Sequence, residues 1–216
     1  MNINILELFK WTELPKKGAT GNLSNQYEGL RWLSQERVKG KCWPYKLAIE
    51  TSLEVLAPFD ITCEPLVETQ VSVNDEMELN KLSEFTETTF WIKREKIYIG
   101  IRNSNWFRLY QYFSNGSWHP VFIPNGQGSL EWRLGWGIEI PEGYSILIQP
   151  IEGESRFRIH PGILNEKKLK EMNDTGLGLS IAIEPIVEHK INKGDLLCRI
   201  YVVKLDYKLN VEYLRG

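Results

Sequence analysis

Gly137-Ile-Glu-Ile-Pro-Glu-Gly-Tyr-Ser-Ile-Leu-Ile-Gln-Pro150 and Lys190-Ile-Asn-Lys-Gly-Asp-Leu-Leu-Cys-Arg-Ile-Tyr-Val-Val-Lys204 decide the fold class. Each is a tight polar turn followed by an apolar or alternating strand. Pro141-Glu142-Gly143 and Asn192-Lys193-Gly194-Asp195 reverse an extended chain, because Gly tolerates positive φ and Pro presets φ near the turn value. The pattern predicts antiparallel strands with Gly143 and Gly194 in the turns between them.

Working outward, most other segments read the same way. Leu47–Glu50 and Leu53–Leu56 predict two short strands, the second ended by Pro58. Leu66–Val73 alternates and predicts a strand with one wet face. Phe90 and Ile92, then Ile97, Ile99 and Ile101, predict strands interrupted by Lys93-Arg94-Glu95-Lys96. Asn103-Ser104-Asn105 and Asn115-Gly116 read as turns. Trp106–Phe113 and Trp118–Ile123 read as strands, the latter ended by Pro124-Asn125-Gly126. Two segments are helix-prone: Tyr27–Arg37, capped by Ser24 or Asn25 and ended by Gly40, and the polar Asn165–Met172. Asn74–Ser83 reads as an exposed loop or short helix. The fold class is therefore mainly β, with one or two short helices. We divide it into an elaborated N-terminal half, 1–125, and a β core, 126–216.

Composition bounds the function. With 216 residues, 42% of them hydrophobic and 25% charged, the chain has the make-up of a globular protein with a substantial core. A net charge of −2 argues against a nucleic-acid coat, which carries a strong basic excess. No apolar run is long enough to span a bilayer, and the N-terminus lacks the marks of a secretory signal. A cytoplasmic location, without membrane or nucleic-acid partners, is the expectation. Cys42, Cys63 and Cys198 form no CxxC pair and read as reduced thiols. His119, His160 and His189 show no metal-ligand spacing, so neither metal nor cofactor is expected.

The order of the C-terminal elements resembles the dUTP pyrophosphatase and dCTP deaminase superfamily, the β-clip fold, over Gly137–Lys204. Ile140-Pro141-Glu142-Gly143-Tyr144 is similar to its Pro-x-Gly-Tyr turn. Gly162-Ile163-Leu164-Asn165 falls where its Gly-Val-Ile-Asp hairpin would stand, and Gly194–Ile200 is similar to its Gly-Asp-Arg-Ile-Ala-Gln element. A closer similarity is to an uncharacterised bacterial family with the same core. It runs from Trp43 through Pro58 and includes Gly126-Gln127-Gly128-Ser129-Leu130-Glu131-Trp132. The resemblance implies a β-clip core, a nucleotide cleft and, by analogy with the pyrophosphatases, a homotrimer.

It also implies lost chemistry. The hairpin Asp that serves the pyrophosphatases as base is Asn165 here, and an amide accepts no proton at neutral pH. The phosphate-binding Arg-Ser-Gly is replaced by Gln149-Pro150-Ile151-Glu152-Gly153-Glu154, whose carboxylates would repel a triphosphate. The tail from Lys208 lacks the Gly-rich arm of the family.

The candidate ligand-binding residues are Arg156, Arg158, His160, Asn165, Gln149 and Tyr144; no catalytic residue is named. Arg156, Arg158 and His160 alternate and so share one strand face, suited to a phosphate or carboxylate. The expected function is non-catalytic binding of a nucleotide or other small anion. Lys93, Arg94, Lys96, Arg102 and Arg108 interleave with Trp106, Phe107, Tyr110 and Tyr112, the ingredients of a single-strand nucleic-acid surface or, more simply, of strands with rings inward. Two alternatives follow: an interaction protein or viral or phage component using this aromatic insert, or an enzyme whose chemistry has moved, with Glu131, Glu139, Glu152 and Glu154 as its carboxylates.

Overall fold

Most segments that alternate in sequence are extended, and the longer strands turn their apolar sides to a shared core. The computed structural model describes residues 2–20, 42–72, 77–88, 90–102 and 106–205. In chain order the elements are β1 (Asn4–Glu7), β2 (Lys16–Lys17), α1 (Trp43–Glu50), β3 (Leu53–Leu56), β4 (Ile61–Cys63), β5 (Glu68–Val71), α2 (Met77–Thr86), β6 (Phe90–Arg94), β7 (Ile97–Ile101), β8 (Gln111–Ser114) and β9 (Ser117–Pro120). They continue with β10 (Phe122–Gly126), β11 (Ser129–Arg133), β12 (Trp136–Glu139), β13 (Ser145–Pro150), β14 (Phe157–Ile159), β15 (Gly162–Asn165), α3 (Glu166–Asp174), β16 (Ser180–Pro185), β17 (His189–Ile191) and β18 (Leu196–Val203). The chain is mainly β, and its described pairings are antiparallel. No helix among the described residues is long and apolar enough to cross a membrane.

Two sheets carry the centre. One has the order β15-β13-β18-β3-β2, the other β10-β11-β16-β14. The three segments that suggested a β-clip core meet in the first. The Pro141–Tyr144 turn feeds β13, Gly162–Asn165 is β15 beside it, and the Gly194 turn feeds β18 on its other side. Gly143 and Gly194 sit at φ 79° and 85°, and a Cβ at either would meet nothing within 4 Å. Glycine is needed there for its backbone alone. A bulge in β18 opposes Leu196 and Cys198 to the consecutive residues Leu56 and Val55. Leu197 is the extra residue, and both it and Cys198 are buried.

The core joins both halves of the chain. Trp132 and Trp136 are fully buried with Phe107, Phe122, Ile61 and Ile99. Phe59 stacks on Tyr110 and meets Phe122 edge-on, which seats the insert's rings against β10 and β11.

Several local expectations change. Leu47–Glu50 is not a strand but the end of α1: Pro44 presets its first turn, and only Ile49 of the helix is buried. The Asn74–Ser83 segment takes its helical alternative from Met77, in α2, which runs on to Thr86, and three α-helices are described; residues 74–76 lie outside the described residues. Trp106–Leu109 is a 3-10 turn, with strand only from Gln111. Trp118–Ile123 divides into β9 and β10 around Val121, and Pro124-Asn125-Gly126 continues β10 through a bulge. Pro124 is tolerated because β10 is an edge strand. The helix expected at Tyr27–Arg37 and the turn at Asn103-Ser104-Asn105 lie outside the described residues.

Candidate functional site

β14 turns Phe157 and Ile159 into the core and Arg158 outward, as the alternation requires, with Arg156 and His160 flanking it. The fold supplies each arginine with a carboxylate. Glu154 clasps Arg156: Nε donates to Oε1 at 2.9 Å, Nη2 to Oε2 at 2.7 Å, and the Arg156 backbone N–H to Oε1 at 2.8 Å. The side-chain bonds from Arg156 hold the Glu154 carboxyl down at about 2, and the same bonds raise the guanidinium. Arg158 Nη1 donates to Glu184 Oε2 at 2.8 Å, across the β14–β16 pair. His160 Nε2 stands 3.3 Å from that same oxygen without a hydrogen bond to it.

The other candidate residues do not converge on these. Gln149 lies exposed at the far end of β13, opposite Arg199. Tyr144 sits at the near end, its backbone N–H donating to Pro141 O at 3.2 Å. Asn165 ends β15 and caps α3, with Oδ1 accepting from the Lys168 backbone N–H at 2.9 Å. An amide in that bond satisfies a helix end, which would otherwise leave a donor unpaired. Beside β14, a cavity of about 170 Å³ touches Glu154, Phe157 and Arg158. That is below the roughly 300 Å³ at which small-molecule sites begin.

A larger cleft, of about 460 Å³, lies where the outward face of β11 and β16 meets β15 and α3. Its polar lining includes the carboxylates Glu131 and Glu171 as well as Arg133, His160, Lys168 and Ser180, with Ile163 among the apolar residues. The register explains the gathering. Glu131 and His160 flank Ala182 in one row, since Glu131 pairs with Ala182 and the His160 N–H donates to Ala182 O at 2.9 Å. Arg133 pairs with Ser180 in the neighbouring row two residues along. Small residues on β16 leave the floor of the cleft open.

Charges within the cleft differ in how they are held. Glu131 is bonded by Arg94 Nη2 at 2.9 Å, while Arg94 Nε donates to Pro124 O at 3.0 Å. Lys168 pairs with Glu171 at 2.9 Å. Arg133 meets only neutral oxygens, the Pro120 carbonyl at 3.2 Å and the Tyr112 hydroxyl at 3.5 Å, and its Nε is buried without a partner. Among the described residues it has no carboxylate. The sequence did not single out Arg133. The signal was present in Leu130-Glu131-Trp132-Arg133, where alternation places both charges outward once Trp132 is inside.

The remaining candidates are structural. Phe107 and Tyr112 are buried, Trp106 and Tyr110 pack on Phe122, and Arg108 and Lys93 lie over the Phe90 and Tyr98 rings. The Trp106, Phe107, Tyr110 and Tyr112 rings are thus packed in or against the core rather than set out as a stacking platform for bases. Gly126-Gln127-Gly128 makes the tight reversal between β10 and β11. Burial pushes the thiols of Cys63 and Cys198 up to about 12, so neither supplies a nucleophile near neutral pH. Cys63 Sγ lies 3.4 Å from His189 Nε2, whose ring stacks on Phe157. No three His, Cys, Asp or Glu residues gather as a metal site among the described residues.

No protein-family model matches the chain, and no curated protein does. Among solved structures it is similar to dUTPases of staphylococcal phages. A mutant dUTPase from phage phi11 of S. aureus, described for its coordination of a structural Mg(II) ion, is 9% identical with a TM-score of 0.43, over 100% of this chain and 98% of that one. A mutant dUTPase of Staphylococcus bacteriophage 80alpha with dUpNHpp is 8% identical with a TM-score of 0.43, over 100% of this chain and 89% of that one. A third structure, of the 80alpha dUTPase, belongs to work on phage dUTPases that control transfer of virulence genes; it is 9% identical with a TM-score of 0.43, over 100% and 97% of the two chains.

Proposed function

We propose that this protein binds a small anionic ligand of the nucleotide class in the cleft between β11, β16 and β15–α3, without hydrolysing it. The carrying observation is Arg133, a cation at the cleft that no carboxylate neutralises among the described residues and whose Nε is buried and unpartnered. An incoming oxyanion would supply the opposite charge that the fold does not place beside Arg133. His160 also lines the cleft, its Nε2 3.3 Å from Glu184 Oε2. The volume of about 460 Å³ falls within the range of small-molecule sites.

Nucleotide as the class comes from the sequence resemblance in Gly137–Lys204. Binding without turnover is favoured by the occupied carboxylates. Glu131 is held by Arg94 and Glu171 by Lys168, and Asn165 spends its side chain on the α3 cap. The homotrimer that the resemblance implies is not carried into this reading.

A thermal-shift and calorimetry series with nucleoside triphosphates and inorganic tripolyphosphate tests the proposal. Saturable binding that weakens in Arg133→Ala supports it. Absence of binding by every one of these anions, or magnesium-dependent release of pyrophosphate from dUTP above background, overturns it.

A further inference from the structure

The described residues leave one stretch of strand edge exposed beside large apolar side chains. β8 and β9 form a two-stranded hairpin around Asn115-Gly116 and belong to no larger sheet among the described residues. Their register pairs Ser114 with Ser117, Phe113 with Trp118, Tyr112 with His119 and Gln111 with Pro120. In a two-residue hairpin the Ser114–Ser117 pair exchanges hydrogen bonds, and pairs then alternate. Gln111–Pro120 is therefore a pair that exchanges none, as Pro120, which has no N–H, requires. The Pro120 carbonyl accordingly faces away from the ladder, where Arg133 Nη1 reaches it. The backbone N–H and C=O of Gln111 and Phe113 consequently point to the free edge of β8.

Natural edges are usually guarded by Lys, Glu, Pro or a bulge. β8 reads Gln-Tyr-Phe-Ser and has none of these. Its inward side is anchored: Tyr112 is buried against Phe9 and Trp11. Its outward side is not. Phe113 is 60% exposed and Trp118 66%, in edge-to-face contact, and Leu109 next to them is 82% exposed. These three line a groove of about 390 Å³ with Trp11, Phe59 and Tyr110, and none of the residues lining it is charged. Exposed aromatics clustered in this way mark association surfaces.

We propose that β8 pairs antiparallel with β8 of a second copy of this chain, about a two-fold axis passing beside Tyr112. Two features select a second copy over another partner. First, Gln111 and Phe113 are placed symmetrically about Tyr112, so Gln111 of each copy meets Phe113 of the other and all four edge groups of each strand find partners. Second, an uncharged apolar surface meets its own copy without like-charge repulsion, which a surface bearing net charge does not. The two hairpins then form one four-stranded sheet, and Phe113, Trp118 and Leu109 of both copies cover one another on its outward face. A hairpin alone is marginal in water, and a four-stranded sheet is not.

Sedimentation velocity and light scattering across micromolar concentrations test this on the full chain. The expected result is a dimer that becomes a monomer in Phe113→Lys and, separately, in Trp118→Lys, with far-UV circular dichroism and melting showing both variants folded. Phe113→Ser and Trp118→Ser serve in their place should a lysine variant fail to fold. A monomeric wild-type protein overturns the proposal. So does an assembly of any size that the folded variants leave intact, or a trimer, which a two-fold strand pairing cannot build.

Discussion

Arg158 on β14 and Arg133 on β11 stand on the same outward face of one sheet, two strands apart, and the fold treats them differently. Arg158 looks across β16 at Glu184, and the neighbouring Arg156 is wrapped by Glu154 two residues back in sequence. Arg133 looks across β16 at Ser180. The first pair is neutralised before any ligand arrives, and its exposed ion pairs contribute little to stability. Arg133 keeps its charge available. The comparison teaches that a cation's value to an anion site is set less by its alternation in sequence than by the residue that register puts opposite it.

The sharpest way to break the comparison is to remove each member in turn. Arg133→Ala is expected to weaken binding of tripolyphosphate, or of whichever nucleoside triphosphate binds, by about 10-fold or more, on the scale of one charge-assisted hydrogen bond. The double variant Arg156→Ala with Arg158→Ala is expected to change it less than about 3-fold, since Glu154 and Glu184 already hold those groups. Calorimetry on folded variants reads both. The reverse order of effects would return the site to β14 and the 170 Å³ cavity beside it.

Asn165 extends the comparison to a polar group already committed by the fold. Its Oδ1 caps α3, so Asn165→Ala should cost about 1 kcal/mol in chemical denaturation. Asn165→Asp should be neutral or slightly stabilising, because a carboxylate caps as well and favours the helix N-terminus. If Asn165 instead touched the ligand, the Asp variant would lose anion affinity while keeping its stability. Equal affinity in both proteins is the expected result.

Much of the fold was legible because local rules governed it. Alternation located β6 and β7, Asn115-Gly116 located the β8–β9 turn, and Pro141–Tyr144 and Asn192–Asp195 located the entries to β13 and β18. The misreadings share a physical cause. Tyr45, Leu47 and Ile49 alternate with polar or small residues and look like a strand, but Pro44 starts a helix there and tertiary packing buries one side chain only. Pro124 looked like a strand end because a central strand excludes it, and nothing local says that β10 is an edge. The site was less legible for the same reason on a longer scale. That Arg156, Arg158 and His160 share a face follows from period two. That Glu184 and Ser180 stand opposite Arg158 and Arg133 follows only from the register of β16, which is fixed by burial of Ile181 and Ile183 far along the chain.

The thiols give a smaller effect with a clear readout. Cys63 and Cys198 are fully buried and held as thiols by burial, whereas Cys42 is half-exposed. A disulfide reagent at neutral pH should label Cys42 in the native protein and the other two only as it unfolds. Fast labelling of Cys63 would show that the contact between β4 and β17 opens, and with it the neighbourhood of Arg156.

The smallest expected effect isolates the Glu154–Arg156 clasp itself. The Glu154 carboxyl titrates near 4.5 when unperturbed and is held to about 2 in the fold by the Arg156 bonds. Between those values the unfolded chain binds more protons than the folded one, so stability rises with pH through this window. The clasp's contribution is fully present above about 4.5 and is lost as pH falls toward about 2. Arg156 is half-exposed, and solvent screening keeps the contribution under about 1 kcal/mol. Glu154→Gln keeps the shape and removes the titration. Its stability should fall below wild type at neutral pH, converge with it near pH 2, and show a shallower slope between. A wild-type curve that Glu154→Gln leaves unchanged across this window would mean that the clasp contributes nothing. Arg156 would then be as available to an anion as Arg133.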